Sequence, residues 1–320
     1  MSTTPAESIS SIACIACGQQ KHVTHFDAVF DYISTETFAI DRCENCGLMV
    51  TRPMPDDQNI GRYYPPRYRG NRHGFTGTTR TNLRRFAVEK CFKPGFKGRL
   101  LDIGCGNGTF ALAMKNAGWT VCATEIDEPT VQSLNERGIT TKTPWDAMRD
   151  GFGQPFDAIT CWHVMEHVLE PTKVSQWAAS MLNPNGVFQA TVPNADCLQA
   201  RFFGNQWLHL DVPRHRFHFT PSTFEKVLTD SGLSVIKRSV FAWEYDWFGI
   251  IQSALNPLCS KPNMLFDQLT GAPDKHTMSA KDKALSFGVG SLIAGASFVP
   301  MVIAAIFGDG ATLTYTCQAK

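Results

Sequence analysis

The stretch GRLLDIGCGNGTF, residues 98 to 110, constrains this chain more than any other. An apolar run ends in Asp102 and then in three glycines at alternate positions, Gly104, Gly106 and Gly108. Thr109 to Ala117 follows with helical spacing. A strand, a glycine turn and a helix in that order open a nucleotide-binding βαβ unit. A second strand is expected from Trp119 to Thr124, ending in Glu125. That carboxylate would stand at the tip of the neighbouring strand, placed to accept hydrogen bonds from ribose hydroxyls.

A dinucleotide site would want its third glycine further on, where a helix N-terminus can meet pyrophosphate. Here a carboxylate stands directly before the glycines. It suits a ligand that carries an ammonium and a sulfonium and no phosphate, as S-adenosylmethionine does. Downstream, Phe156 to Trp162 reads as a buried fourth strand, followed by His163-Val-Met-Glu166-His167. A helix from Pro171 to Leu182 should stop at Asn183-Pro-Asn-Gly186, before a fifth strand from Val187 to Val192. Thr220-Pro221 has the N-cap and N1 arrangement of a further helix, and Leu233 to Phe241 reads as a sixth strand.

LLDIGCGNG, the acid after the second strand, FDAITCWHVMEHVLEP, LNPNG and DVPRHRFHFTPSTFEKVLTDSGL together resemble the class I S-adenosylmethionine-dependent methyltransferases. The likeness is to the branch that includes the ubiquinone-biosynthesis O-methyltransferases. It covers roughly residues 98 to 245 and the last strand. It implies an α/β, Rossmann-like seven-stranded sheet whose last strand is antiparallel, and Ala311 to Ala319 alternates as that strand should. The residues expected to bind the cofactor are Asp102, Gly104, Cys105, Gly106, Gly108, Glu125, Ile126, Trp162 and His163.

Before this core lie Cys14-x-x-Cys17-Gly and Cys43-x-x-Cys46-Gly, two knuckles with the spacing of a tetrahedral thiolate site. Four thiolates leave no open position for water, so the zinc expected there is structural. Between the knuckles there is room for a β-hairpin from about His22 to Ile40. Such zinc knuckles resemble those of bacterial deoxysugar C-methyltransferases. The other seven cysteines show no such spacing and read as small core residues. The first thirteen residues have neither a basic nor an apolar export region, which predicts a cytoplasmic chain with reduced thiols.

The organisation expected is a tail (1–13), a zinc ribbon (14–50), a basic helical linker (51–97), the core (98–245), an apolar helical insertion (246–310) and the last strand (311–320). The linker is charged unevenly. From Arg62 to Arg99 there are eleven basic residues against Glu89 alone, although the chain as a whole carries +1. That excess attracts phosphate or an anionic membrane surface. In the insertion, Ala284 to Gly308 holds no Asp, Glu, Lys or Arg and is long enough to span a bilayer. A single crossing would put paired strands on opposite sides of the membrane. Two readings remain: a hairpin of two short helices, broken near Ser297 to Pro300 and resting on one leaflet, or a flap buried in the protein or at an interface.

Candidate bases for deprotonating an acceptor are His163, after the fourth strand, and His215 and His218 in the loop FFGNQWLHLDVPRHRFHF, with His209 beside them. His163-x-x-Glu166-His167 also matches a zinc-protease pattern, but that motif needs a long helix and here it follows a strand. Glu166 and His167 could instead join a loop histidine on a divalent ion, or simply shape the cofactor pocket. The acceptor expected is a small or lipid-linked molecule, such as a sugar, a polysaccharide precursor or a quinone-like hydroxyl. An RNA substrate gripped by ribbon and linker fits the near-zero net charge poorly, and a non-catalytic cofactor-binding protein remains open.

Overall fold

A computed structural model describes residues 13–64, 77–240, 242–269 and 278–320. The expected N-terminal tail and the basic residues Arg67, Arg69 and Arg72 lie outside the described residues. In chain order the elements begin with β1 (His22–Phe30), β2 (Thr37–Cys43), β3 (Met49–Arg52) and α1 (Gly77–Glu89). The core then runs β4 (Arg99–Ile103), α2 (Thr109–Asn116), β5 (Thr120–Thr124), α3 (Glu128–Glu136), β6 (Thr140–Lys142), α4 (Pro144–Asp150), β7 (Phe156–Trp162), α5 (Pro171–Ser180) and β8 (Leu182–Pro193). After it come α6 (Leu198–Phe203), β9 (Phe217–His218), α7 (Pro221–Asp230), β10 (Leu233–Ser239), α8 (Trp243–Leu255) and α9 (Met264–Leu269). A long helix α10 (Ala280–Ile306) and β11 (Thr312–Ala319) close the described chain.

The large sheet has seven strands in the order β10-β11-β8-β7-β4-β5-β6. Strands β4 to β8 run parallel, while β11 lies antiparallel between β8 and β10. Helices cover both faces, so the central strands are apolar on both sides. Leu100, Leu101, Ile159, Cys161, Phe188 and Ala190 are all fully buried. Local signals place the helices: the Asp127 side chain caps α3, and Thr220 and Thr223 form a reciprocal capping box at the start of α7, with Pro221 at its first position. One boundary differs from the sequence pattern. Helix α5 stops at Ser180, and β8 takes up at Leu182, through the Asn-Pro-Asn-Gly segment that the pattern marks as a turn. The ladder with β7 absorbs this by a register shift between Phe156 and Ala158.

The N-terminal hairpin β1–β2 continues into a four-stranded sheet, β1-β2-β3-β9, whose last strand comes from the loop after β8. Sequence spacing gave no sign of this shared sheet. A buried ion cluster locks the seam. Arg214 is fully buried, and its guanidinium donates to Asp31 on the hairpin side at 2.7 Å, to Asp211 in its own loop at 2.7 Å and to the Tyr63 carbonyl at 3.3 Å. Burial alone would raise the Asp211 carboxyl, but Arg214 and His215 hold it well below the usual carboxylate range.

The expected pair of short helices in the apolar insertion is replaced by one continuous helix, α10, with Pro300 inside it. Proline removes one N–H and crowds the carbonyl four residues back, but the turns on either side survive. Packing on α8 supports them: the Trp247 indole donates to the Ala294 carbonyl at 2.9 Å, and its ring meets Phe298 edge-on at 5.3 Å.

Removing one partner from a buried ion cluster strands the others without compensation. Arg214→Ala is therefore expected to cost about 3–5 kcal/mol of stability, read by denaturant unfolding. Asp31→Asn should cost less, because Asp211 still pairs with the arginine.

Candidate functional site

The glycine turn sits at the carboxyl end of β4, where open α/β sheets hold ligands. Gly104 and Gly108 have φ of 65° and 73°, in the left-handed region. A Cβ on Gly108 would stand 2.3 Å from the Leu134 side chain, and one on Gly104 would stand 2.5 Å from Val164. At Gly106 a Cβ would meet nothing within 4 Å, so the middle of the loop faces open space. Glu125, at the end of β5, accepts from the Gly106 amide at 2.8 Å and from the Ile126 amide at 2.8 Å. Its carboxylate therefore lies across the glycine loop. Ile126 beside it is exposed, and the Cys105 amide is tied to the Thr124 carbonyl.

Asp102 is buried beneath the loop and accepts from the Thr160 hydroxyl at 2.8 Å. Burial pushes its carboxyl up to about 7, with the Thr160 hydrogen bond and Arg84 pulling against it and Glu125 adding to it. Above it the Trp162 indole lies beneath the guanidinium of Arg84, 5.1 Å from the ring centre. The Trp162 Nε1 is buried without a hydrogen-bond partner. Arg84 comes from α1, in the basic stretch that reads as a linker. Sequence reasoning missed it because nothing near Arg84 announces which pocket its helix covers.

His163 follows β7 with φ of 55°, and its ring stacks on Tyr245 at the start of α8 with 4.3 Å between centres. Its Nδ1 lies 3.3 Å from Glu166 Oε1. His209 reaches the Tyr245 carbonyl at 3.2 Å, and burial lowers its pKa to about 4. Strand end, histidine loop and insertion thus meet at Tyr245. Tyr245 was also missed, since only the fold brings the insertion back to the strand ends.

The other two histidines lie deeper. His215 donates from Nδ1 to the His209 carbonyl at 2.8 Å and packs edge-on against His167. His218 belongs to β9 and lies 2.9 Å from the Thr51 hydroxyl, inside the ribbon–core seam. Burial holds both well below the ordinary histidine pKa, His218 at about 3. His163, which is less buried and lies directly after β7, is the candidate base carried forward. Glu166, His167 and His215 bring ligand atoms within 4.8 Å of one another, and Glu166 Oε2 is buried without a hydrogen-bond partner. His167 and His215 each direct Nδ1 at a carbonyl, at 2.9 and 2.8 Å, which puts the lone pair on Nε2. That donor set could hold a divalent cation.

Cys14, Cys17, Cys43 and Cys46 converge, with sulfur separations of 3.5 Å (Cys14–Cys46) and 3.6 Å (Cys17–Cys43). Four sulfurs at about 2.3 Å from a tetrahedral zinc stand roughly 3.8 Å apart, so the cluster fits that ion closely. The turns are closed by Gly18 and Gly47 amides donating to the Cys14 and Cys43 carbonyls at 2.7 and 3.0 Å.

Strand order and a carboxylate under a glycine turn together define the fold of the S-adenosylmethionine-dependent methyltransferases. A family model described as a methyltransferase domain matches residues 71–238, just over half of the chain, and the chain belongs to that family. Among curated relatives, the ubiquinone biosynthesis O-methyltransferase of Paracidovorax citrulli is 28% identical over 151 residues, 44% of this chain and 61% of that protein. Its counterpart from Shewanella pealeana is 35% identical over 105 residues, 30% of this chain and 44% of that one. The chain thus spans about half the length of these relatives. The crystal structure of the cyclase SpnF superposes with a TM-score of 0.51 at 17% identity, covering 83% of this chain and 97% of SpnF, which is a likeness of fold.

The protein is expected to carry one zinc per chain by elemental analysis. Stripping it with a strong chelator, or Cys46→Ser, should lower the Tm by about 5 °C or more, because the ribbon's sheet continues into the core.

Proposed function

We propose that this chain transfers the methyl group of S-adenosylmethionine to a hydroxyl of a small-molecule acceptor, a sugar or a quinone-like ring, seated beside His163. The observation that carries the reading is the open glycine turn between Asp102 and Glu125, at the same strand ends as His163, whose ring stacks on Tyr245. The name shared by the curated relatives supports a hydroxyl acceptor.

When bound, S-adenosylmethionine supplies a methyl already activated by its sulfonium. The residues of the chain bind and orient. Glu125 would accept from the cofactor's ribose hydroxyls, Asp102 would hold its ammonium end, and Arg84, over Trp162, would pair with its carboxylate. Glu166 orients the His163 imidazole, which takes the acceptor's proton. Stacking on Tyr245 fixes the ring and helps exclude water. A second reading adds a divalent cation on Glu166, His167 and His215 that would sharpen the acidity of the hydroxyl. The partnerless Glu166 oxygen favours it.

Methyl-labelled S-adenosylmethionine incubated with the protein and a lysate of its host should yield labelled small molecules. Label in the organic phase would mark a lipid-linked acceptor, and label in the aqueous phase a soluble sugar. Label destroyed by nuclease would overturn the reading in favour of RNA. His163→Ala should lower kcat by roughly 100-fold or more with little change in cofactor affinity. Arg84→Ala should weaken cofactor binding instead, by about tenfold.

The pH dependence follows from Asp102. Its folded pKa of about 7 lies above the 3.8 of a free carboxyl, so the cofactor-free fold holds the proton and loses stability as pH rises between those values. A cationic ligand needs the carboxylate. Affinity should therefore fall as pH drops below about 7, by up to tenfold per unit, with proton release on binding measured by calorimetry in buffers of different ionisation enthalpy. Asp102→Asn should flatten that profile.

A further inference from the structure

Helix α10 is the most exposed apolar element of the described chain. It runs for 27 residues, about 40 Å, and only 11% of its most apolar 18-residue window is buried. Met301 and Gly290 face α8 and are buried, whereas Leu292, Val299 and Ile306 are 74%, 61% and 76% exposed. The exposure continues past the end of the helix. Phe307 is 85% exposed, and α6, held there by Asp309 accepting from the Leu198 amide at 2.8 Å, adds Phe202, 79% exposed. Two separate elements thus expose apolar side chains, with the Arg201–Asp309 ion pair at 3.4 Å where they join.

Both ends of α10 are tied to the same side of the protein. At its start, Asp282 accepts from the Ser260 amide and hydroxyl at 2.9 and 2.8 Å. At its end, Asn194 donates to the Gly310 carbonyl at 2.9 Å and the chain enters β11, between β8 and β10. A helix anchored at both ends to one domain cannot cross a bilayer, although its length would allow it.

Charge selects the occupant. Lys261, Lys281 and Lys283 are exposed at the start of the helix, and the acid among them, Asp282, is buried and bonded to serines. Beyond Lys283, no charge interrupts the surface until Asp309. A protein interface carries a polar rim around its apolar centre. Here the polar side chains within residues 284–308 are serines alone, and a lysine cluster stands at one end. Apolar residues bounded by lysines suit acyl chains beneath anionic headgroups.

We propose that α10, with Leu198 and Phe202 of α6, docks this protein on an anionic lipid surface, with the helix lying in the interface of one leaflet. This stands apart from the methyltransferase reading, since it rests on exposure and anchoring and not on the cofactor site. It implies that an acceptor with a lipid tail would be met at the membrane.

The test is flotation of the full chain with vesicles of phosphatidylcholine alone and with added phosphatidylglycerol, which requires neither cofactor nor acceptor. The protein should float with the anionic vesicles and leave them in alkaline carbonate. Leu292→Glu with Ile303→Glu should weaken binding at least tenfold while leaving thermal unfolding unchanged. Lys281→Ala with Lys283→Ala should remove the preference for anionic lipid. Wild type that stays unbound to both vesicle types overturns the proposal. So does a dimer in light scattering that the double glutamate variant splits without any lipid binding, because α10 is then a self-interface. Retention in carbonate overturns the one-leaflet placement.

Discussion

The buried guanidinium of Arg214 is the interaction on which the rest of the molecule depends. It draws together an aspartate from the ribbon hairpin, an aspartate from the loop after β8 and a carbonyl from the turn before α1. None of these segments has a large core of its own. Once the charge is buried it must keep its partners, because leaving a buried ion uncompensated costs several kcal/mol. That requirement fixes the histidine loop against the ribbon. It also sets His167, whose Nδ1 donates to the Arg214 carbonyl at 2.9 Å. The ribbon is therefore tied to the loop that carries His209 and His215.

The chemistry then follows from where parallel strands end. Asp102, Glu125 and His163 come from three strands that run side by side, so the C-terminal tips bring the three candidate side chains to one edge. The same edge receives Arg84 from α1 and Tyr245 from α8, which approach from opposite directions along the chain. Burial does two different jobs here. It raises the Asp102 carboxyl, so that a cation would have to displace its proton, and it lowers the deep histidines, which keeps them neutral.

The apolar insertion shows how tertiary context overrides a local breaker. Pro300 and the scattered glycines argue for an interrupted helix, yet α8 lies alongside and its Trp247 grips the Ala294 carbonyl just before the proline. Packing against a neighbour holds the helix together although proline removes one of its hydrogen bonds. It also leaves the outer side of the helix bare, a consequence that the residue pattern alone could not separate from burial.

The sequence by itself determined the central sheet, the glycine turn with its two carboxylates, and the four thiolates. Each of these is written in local sequence: short apolar runs, a turn that glycine fits, a knuckle of two cysteines. It also determined that 284–308 could not be a single crossing, because β10 and β11 must pair. Only the tertiary structure decided that His218 belongs to a sheet shared with the ribbon, that Arg84 and Tyr245 face the site, and that α10 is continuous and exposed. Those outcomes depend on contacts between residues far apart in the chain, such as Thr51 with His218, 167 positions on. Such contacts leave no periodicity in the chain, since they are fixed by what packs against what once the buried arginine has found its partners.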